Sequence, residues 1–576
     1  MIQKEWVLAL PAPAQHLQRY QGCSPTLAQL LYNRGFEEPR AAHDFLNGQH
    51  FSDDPYQMKD MDAAVARINA AIGEREPIAV YGDFDADGVC ATALMVETLR
   101  ALGAVVMPYI PMRAEEGYGL NGPALESLAR RGARLVVTVD CGIRAISEVA
   151  AGMRAGLDII VTDHHSIGLE LPPALAVVNP RQEGCPGEAR LAGAGVAFML
   201  AKALLHHRWA TDRASYPAGL RLSNLLDLVA LGTVADVIPL NVGLNRRLVK
   251  YGLDVINDLR RPGIAALVKV SGLQPGSIES SDIGFGLGPR INAAGRLHSA
   301  MTAYDLLCAE SVEEAMPRAI ELQALNSQRQ QLTQQAQAAI GERVGDAEGR
   351  SLIFAGDENI HSGIVGLVAG RLTEAFYRPA IVLEIGDEES RASCRSIPEF
   401  NIIRALDECA DLLVRHGGHA MAAGFTVLNS NLDRLQSELK QKADQSLSGQ
   451  KLMPRLRVDS EINLDELSEA LVDELEELEP TGHENDKATF VTRDLVVLHC
   501  RRVGGDGRHL KLRVANCSGA QLDAIGFGLG DWAKQMPRRI DAAYHVEMNE
   551  WQGRRSLQLH LLDIRPAGGA DESVSA

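Results

Sequence analysis

Ile78-Ala79-Val80-Tyr81-Gly82-Asp83-Phe84-Asp85-Ala86-Asp87-Gly88 is the stretch whose reading decides the rest of the chain. A short β-type run ends in three carboxylates at alternate positions, and Gly88 then opens an apolar, helix-like run from Val89 to Leu102. In open α/β sheets, ligands bind beyond the carboxyl ends of strands. Three ionised Asp side chains crowded there repel one another unless a cation neutralises them, and hard divalent cations prefer carboxylate oxygens. A calcium loop is the first rival, since Asp83-x-Asp85-x-Asp87-Gly88 matches the opening of an EF-hand. That loop requires Glu at its twelfth position and a helix in front. Here the twelfth position is Leu94 and the preceding residues read as strand, so the EF-hand fails. A solvated polar turn remains open on this stretch alone.

Working outward, the chain alternates strand and helix. Ala104 to Tyr109 reads as a second strand, followed by a loop over 111–119 that carries Arg113, and then a helix near Pro123 to Arg131. Leu135 to Val139 is an apolar run ending in Asp140-Cys141-Gly142, and Leu157 to Val161 is another ending in Thr162-Asp163-His164-His165. Near-continuous apolar strands joined by helices predict a parallel sheet covered on both faces, whose carboxyl ends share one edge. A lone Asp after a strand is commonly a helix cap, and a His-His pair is commonly structural. Three such strand ends within about 85 residues point instead to a metal site. Asn224 to Leu240 is apolar but interrupted by Asp227 and Asp236; a buried Asp236 needs a partner that a metal supplies, whereas Asp227 suits a local hydrogen bond.

The motifs Asp83-Phe84-Asp85-Ala86-Asp87-Gly88, Val139-Asp140-Cys141-Gly142, Asp163-His164-His165 and Gly232-Thr233-Val234-Ala235-Asp236 resemble those of the DHH phosphoesterase superfamily. Leu27 to Gly35 and the chain length resemble its RecJ branch of single-strand-specific 5′→3′ DNA exonucleases. The resemblance implies that Asp83, Asp85, Asp87, Asp140, His164 and Asp236 hold two Mn²⁺ or Mg²⁺ ions, with Asp140 as the bridge. It places His165 against the scissile phosphate and gives Asp163 the task of orienting His164. Soft thiolate ligands are absent, which disfavours zinc. Two ions about 3.5–4 Å apart would activate water and stabilise the leaving 3′-oxygen.

Gly284 to Arg296 is glycine-rich and carries Arg290, Asn292 and Arg296. It reads either as a phosphate-gripping loop or as an ordinary tight turn, and the resemblance favours substrate binding. Glu313 to Val344 is a Gln-rich helical pattern suited to a connector between lobes. A second α/β unit follows, with Ser393-Cys394-Arg395-Ser396 after a strand and a closing segment, His416 to Gly424, read as a flexible glycine loop. That segment resembles the DHHA1 signature, which implies a nucleic-acid-facing role for Gly417, Gly418 and His419, with His361 on the same face. A metal reading of its two histidines is rejected because no carboxylate accompanies them locally.

Asp459 to Asp486 holds twelve acidic and no basic residues, with leucines at helical spacing, and predicts an acidic amphipathic helix. Alternating strands follow, and over 490–565 Lys and Arg outnumber Asp and Glu by 12 to 8. A small barrel fits, and the resemblance implies an OB-fold for single-stranded nucleic acid. The expected organisation is an α/β chain: a helical segment over 1–60, a parallel-sheet DHH lobe over 61–312, a connector helix over 313–345, a smaller α/β DHHA1 lobe over 346–455, and the acidic helix with its barrel over 456–576.

Composition sets outer limits. At 576 residues, about three or four domains are expected. A net charge of −18 excludes a generally basic coat but not a local basic groove. Aromatic content of 5% keeps any base-stacking surface small. Nine cysteines without a C-x-x-C pair read as reduced thiols in a cytoplasmic protein, and no apolar span or signal pattern suggests a membrane. The expected function is hydrolysis of single-stranded DNA in repair and recombination, by a monomer working with single-strand-binding protein and a helicase, partners the resemblance suggests. A phosphodiesterase of short oligonucleotides or cyclic dinucleotides is the alternative. The 5′ terminus would be read by arginines from both lobes: Arg113, Arg290, Arg296, and Arg395 with Ser393.

Overall fold

The computed structural model describes residues 3–20, 22–48, 53–117, 119–186, 188–217, 219–241, 243–345, 349–551, 554–568 and 572–574. Tyr118 of the expected loop thus lies outside the described residues. The chain divides into two compact units, one formed by residues 50–452 and the other by residues 1–49 together with 453–576.

The larger unit is organised on a five-stranded parallel sheet ordered Val106–Tyr109, Ile78–Gly82, Leu135–Val139, Asp158–Thr162, Ala176–Val178. Its strands are apolar at nearly every position because both faces are covered. Ile78 and Val80 join one core with the helix Ala86–Ala101, while Ala79 and Tyr81 join another with the helices Gly122–Arg130 and Ile146–Arg154. The chain leaves Ile78–Gly82 for the strand on one side and then crosses to the strand on the other. That reversal opens a crevice at the carboxyl ends, where Asp83 and Asp140 emerge.

A 33-residue helix, Val312–Val344, leads to a mixed sheet ordered Leu413–His419, Ala422–Leu428, Glu389–Arg395, Ala380–Glu384, Ile353–Asp357. Two expectations change here. His416 to Gly424 is a paired hairpin rather than a flexible loop, with Gly417 opposite Gly424 and His419 opposite Ala422. Ile283–Leu287 is a π-helical turn running into the α-helix Gly288–Leu297, so the glycine-rich stretch is helical and not a loop. Its glycines serve close packing: a Cβ on Gly295 would collide with the carbonyl oxygen of Phe84.

In the smaller unit, the strands Phe490–Val503, His509–Ala515, Gln521–Gly526, Arg554–Pro566 and Arg539–Trp551 close into a barrel through pairing of the first with the last. The acidic segment is not one long helix. A capping box between Asn463 and Glu466 makes a single turn, and Ser468 then caps the short helix Glu469–Glu476. Its leucine spacing still reports burial, since Leu464, Leu467, Leu471 and Leu478 share a core with Leu27, Leu30, Leu31 and Phe45. The N-terminal segment is not wholly helical either: Glu5–Leu8 is a strand between Arg455–Val458 and Glu572–Val574. No helix among the described residues is long and apolar enough to cross a membrane.

Candidate metal centre and substrate cleft

Each donor reaches the crevice for a local reason. Asp85 is the N-cap of the helix Ala86–Ala101, its Oδ1 accepting from the N–H groups of Asp87 and Gly88 at 3.0 and 3.1 Å. Asp87 accepts from Gly193 and Ala194 N–H at 2.6 and 2.9 Å, at the start of the helix Gly193–Thr211. Asp140 takes a left-handed backbone, φ 63°, which turns the chain sharply at the strand end. Asp236 is the C-cap of the apolar helix Leu226–Ala235. Asp227, on the same helix, is instead bonded by Arg261, whose Nε donates at 2.7 Å, so it takes no part in the cluster.

These elements bring the expected ligands together. Donor atoms lie within 4.8 Å of one another in three sets: Asp83, Asp85 and Asp140; Asp87, His164 and Asp236; and Asp140, His164 and His165. Asp140 and His164 each belong to two sets. His164 Nε2 is 3.1 Å from Asp140 Oδ1, 3.5 Å from Asp236 Oδ2 and 3.9 Å from Asp87 Oδ2. None of these approaches is a hydrogen bond: both ring nitrogens of His164, together with Asp83 Oδ1 and Asp140 Oδ1, are buried without a partner. Buried polar atoms are rarely left so, and a set of carboxylate oxygens and an imidazole is the chemistry that suits Mn²⁺ or Mg²⁺. The residues fit the metals.

The electrostatics agree. Burial, then the neighbouring carboxylates, push Asp83, Asp140 and Asp236 well above the usual carboxylate range. Asp87 is pushed up to about 7 by burial and Asp85, against its bonds from Ala194 and Gly193. His164 is pushed down to about 4, by burial first and then by His165. All of these shifts disfavour charge, and a cation reverses them.

Asp163 corrects one expectation. Its Oδ1 accepts from the His165 ring at Nδ1, 2.8 Å away, and it reaches His164 only through that residue's backbone N–H at 2.7 Å. Asp163 therefore orients His165. Burial opposes charge on His165, but the bond to Asp163 and that carboxylate's charge outweigh burial and raise its pKa.

His165 and Asp163 line a cleft of about 320 Å³ with Arg144, Gly418 and His419, so the hairpin of the second lobe faces the first. Arg113 lies over the Phe84 ring at 5.0 Å and feels both Asp83 and Asp85. Arg395 donates to Ser393 Oγ at 3.2 Å. Arg296 donates to the carbonyl of Gly363 at 3.2 Å, and its pKa is pushed down to about 10 by burial, then by Arg113 and Arg329, with Arg395 adding to it. Three expected substrate residues have internal partners. Arg290 donates to Gln323 Oε1 and to the Gly286 carbonyl, Asn292 Oδ1 accepts from Ala86 N–H, and His361 Nδ1 accepts from Gly363 N–H. His416 is bonded to Asp407 at 2.9 Å, so a carboxylate does accompany the second lobe's histidines, outside the crevice.

Sequence reasoning missed Arg329, hidden in the Gln-rich helix, whose Nε is buried without a partner. It also missed Gly193 and Gly232. A Cβ on Gly193 would come within 2.5 Å of Asp140 Cβ, and one on Gly232 would collide with Asp87 Oδ1. The small-residue run Ala192-Gly193-Ala194-Gly195 was the available signal.

The comparisons with known proteins follow this architecture. Residues 77–233 match the DHH family N-terminal domain, 349–445 the DHHA1 domain, and 458–563 the RecJ OB domain. The single-stranded-DNA-specific exonuclease RecJ of Bacillus subtilis is 38% identical over 96% of this chain and 71% of its own. The crystal structure of Thermus thermophilus RecJ in complex with Mn²⁺ superposes with a TM-score of 0.83 at 30% identity, covering 99% of this chain and 81% of the other. Its counterpart with Mg²⁺ gives 0.78 at 28% identity, with coverages of 98% and 79%.

Proposed function

Because this chain belongs to the RecJ family, we propose that it is a divalent-metal-dependent exonuclease that hydrolyses single-stranded DNA from the 5′ end. The observation that carries the reading is the three donor sets linked through Asp140 and His164, with buried atoms lacking any other partner. Asp83, Asp85, Asp87, Asp140, His164 and Asp236 hold Mn²⁺ or Mg²⁺. A metal held there would supply activation of water and stabilisation of charge on the leaving 3′-oxygen. His165, fixed through Nδ1 by Asp163 and favoured in its charged form, presents Nε2 to a non-bridging oxygen of the scissile phosphate. Arg113, Arg296 and Arg395 with Ser393 receive the 5′-terminal phosphate by charge-assisted hydrogen bonds. Gly417, Gly418 and His419 contact the strand from the second lobe. Arg290, Asn292 and His361 support these groups through the internal bonds described above.

The family resemblance further supports work in DNA repair and recombination, as a cytoplasmic monomer alongside single-strand-binding protein and a helicase. The domain limits we propose remain 61–312 and 346–455 for the two lobes, joined by the helix 313–345, with 1–60 before them and 456–576 after them.

The test is degradation of a long 5′-labelled single strand beside a dinucleotide, each with Mn²⁺ and with chelator. Mononucleotides released from the long strand only with metal support the reading. Cleavage confined to the dinucleotide would show instead a phosphodiesterase of short oligonucleotides.

A further inference from the structure

The loop between the strand Val106–Tyr109 and the helix Gly122–Arg130 is gathered on one carboxylate. Glu116 Oε2 accepts from the Tyr109 hydroxyl at 2.5 Å, where the loop begins, and from Asn121 Nδ2 at 2.8 Å, where it ends. Its Oε1 accepts from Met112 N–H at 2.8 Å. The anchors are themselves fixed. Asn121 Oδ1 caps the helix by accepting from Ala124 N–H at 2.7 Å, and its Nδ2 also lies 3.2 Å from the hydroxyl of the fully buried Tyr81. Tyr81 donates in turn to the Gly119 carbonyl at 3.0 Å and lies beside Tyr109, their ring centroids 5.0 Å apart.

Glu116 keeps its charge in this setting. Burial opposes ionisation, but the bonds from Tyr109, Met112 and Asn121 together outweigh it and hold the carboxyl below its usual value. An ionised carboxylate only accepts, so three donors suit it and no other side chain of that shape. Met112 directly precedes the single turn Arg113–Glu116, so the bond to its N–H fixes where that turn starts and where Arg113 leaves the chain. Arg113 and Glu116 stand three residues apart on the turn, a spacing at which opposite charges can pair. Glu116 is engaged instead by the ends of the loop. Arg113 lies over the Phe84 ring at 5.0 Å and is met by the charges of Asp83 and Asp85. Its guanidinium thus reaches the metal cleft with its charge not taken up by Glu116.

We propose that Glu116 is a positioning residue for recognition of the 5′ terminus, holding its turn so that Arg113 meets the terminal phosphate. The inference rests on reading Arg113 as part of the receptor for that phosphate, and it names the group that sets its place. Glu116 touches neither substrate nor metal and acts through Arg113. A backbone fixed before the substrate arrives lowers the ordering cost of the long side chain that springs from it. The benefit goes only to strands that bring a phosphate to Arg113, so it discriminates between strand ends. It should appear in KM, because grip on a terminal group that does not react is uniform binding.

The experiment uses the full chain with Mn²⁺ and one oligothymidine bearing either a 5′-phosphate or a 5′-hydroxyl. Glu116→Gln keeps the side chain's shape but turns an amide N–H₂ toward groups that donate. It should raise KM for the phosphorylated strand about tenfold, the scale of one charged hydrogen bond, with kcat unchanged and the hydroxyl strand altered less than about twofold. Tyr109→Phe removes one of the three donors and should move KM the same way by about threefold. With Arg113→Ala in place, neither substitution should add to the loss, since the residues act as one unit. Equal melting temperatures check that the variants fold, and Tyr109→Phe carries the same cycle should Glu116→Gln melt well below the parent. If Glu116→Gln lowers kcat equally on both strands, or adds its full effect to Arg113→Ala, Glu116 merely supports the fold and the inference falls. If Arg113→Ala removes the preference for a 5′-phosphate while Glu116→Gln and Tyr109→Phe match the parent, the turn holds without Glu116. The inference then falls with the reading of Arg113 intact. If Arg113→Ala leaves the preference untouched, that reading falls first and the inference with it.

Discussion

Asp83, Asp85, Asp140 and Asp236 crowd one part of the larger unit, and beside them Arg113, Arg329 and Arg395 all bear on the buried Arg296. Asp83, Asp140 and Asp236 are driven toward their neutral form by burial and by neighbouring carboxylates. Burial lowers the pKa of all four arginines, and at Arg296 the charges of Arg113, Arg329 and Arg395 lower it further. Carboxylates can escape by binding protons, but a guanidinium stays charged at physiological pH, even at a pKa of about 10. The two clusters therefore differ in what completes them. The acidic one answers to metal and to pH, the basic one only to an anion. Arg113 links them, since its charge is felt at Asp83 while it in turn lowers the pKa of Arg296.

The sharpest way to break this comparison is to remove the carboxylate common to two donor sets. Asp140→Ala should lower hydrolysis of single-stranded DNA by about a thousandfold or more, the order expected when charge stabilisation at the reacting centre is lost. The side chain is small, so the fold should persist, and circular dichroism checks that. A variant keeping more than about a tenth of parental activity would sink the shared-ligand assignment.

Next in size is the basic cluster. Arg395→Ala should reduce kcat/KM for a 5′-phosphorylated strand far more than for a 5′-hydroxyl strand. A lost charged hydrogen bond is worth about 1.5–3 kcal/mol, or about 10- to 150-fold. Equal losses on both substrates would show that Arg395 grips the strand generally and that another group reads the terminus.

A smaller effect separates the larger unit from the barrel. Deleting only 456–576 would strip Leu27, Leu30, Leu31 and Phe45 of the core they share with that region. The informative deletion therefore keeps 53–452. It should retain metal-dependent hydrolysis of short strands, bind long strands several-fold more weakly, and show a shallower dependence of affinity on salt, because fewer phosphates are contacted. An unchanged slope would mean that the barrel contacts no backbone.

Much of this was legible because each apolar strand run stopped abruptly at a ligand-type residue. Asp83, Asp140 and Asp163 mark three strand ends directly, and the parallel sheet follows from runs such as Leu135 to Val139. Residues that act by being small were not legible. Gly193 and Gly232 supply no chemistry, only space for Asp140 and Asp87. The glycines over 284–296 were misread for a related reason: glycine signals close approach as well as a turn, and Gly295 is there for Phe84. Leucine spacing over 464–478 reported burial correctly but not helix length, because Asn463 and Ser468 each start a new turn. The strand Glu5–Leu8 was hidden because its partners begin at Arg455 and Glu572, far beyond any local pattern.

The last prediction tests whether the acidic cluster responds to pH as the basic one does not. In metal-free protein, Asp83, Asp140 and Asp236 have raised folded-state values, and Asp87 reaches about 7 from an ordinary 3.8. A raised carboxyl contributes stability that is fully present below its unfolded value and lost as pH climbs through the folded one. These four groups thus destabilise the metal-free fold between about pH 4 and 7 and above, in the direction of rising pH. His164 acts the other way: its value is lowered from 6.5 to about 4, so its contribution is present above about 6.5 and lost as pH falls through 4. His165, raised from 6.5, also loses its contribution as pH rises, so these groups together oppose His164 over pH 5 to 8, and cations bind the ionised form that high pH favours. The melting temperature of the metal-free chain should therefore fall by a few degrees from pH 5 to pH 8, and the gain on adding Mn²⁺ should be larger at pH 8. Differential scanning calorimetry at both values, with and without metal, reads the difference. Asp140→Asn should shrink the pH dependence and the metal gain together. A metal gain that is the same at both pH values would show that the carboxylates do not pass from protonated to metal-bound in this range, and that burial leaves them charged.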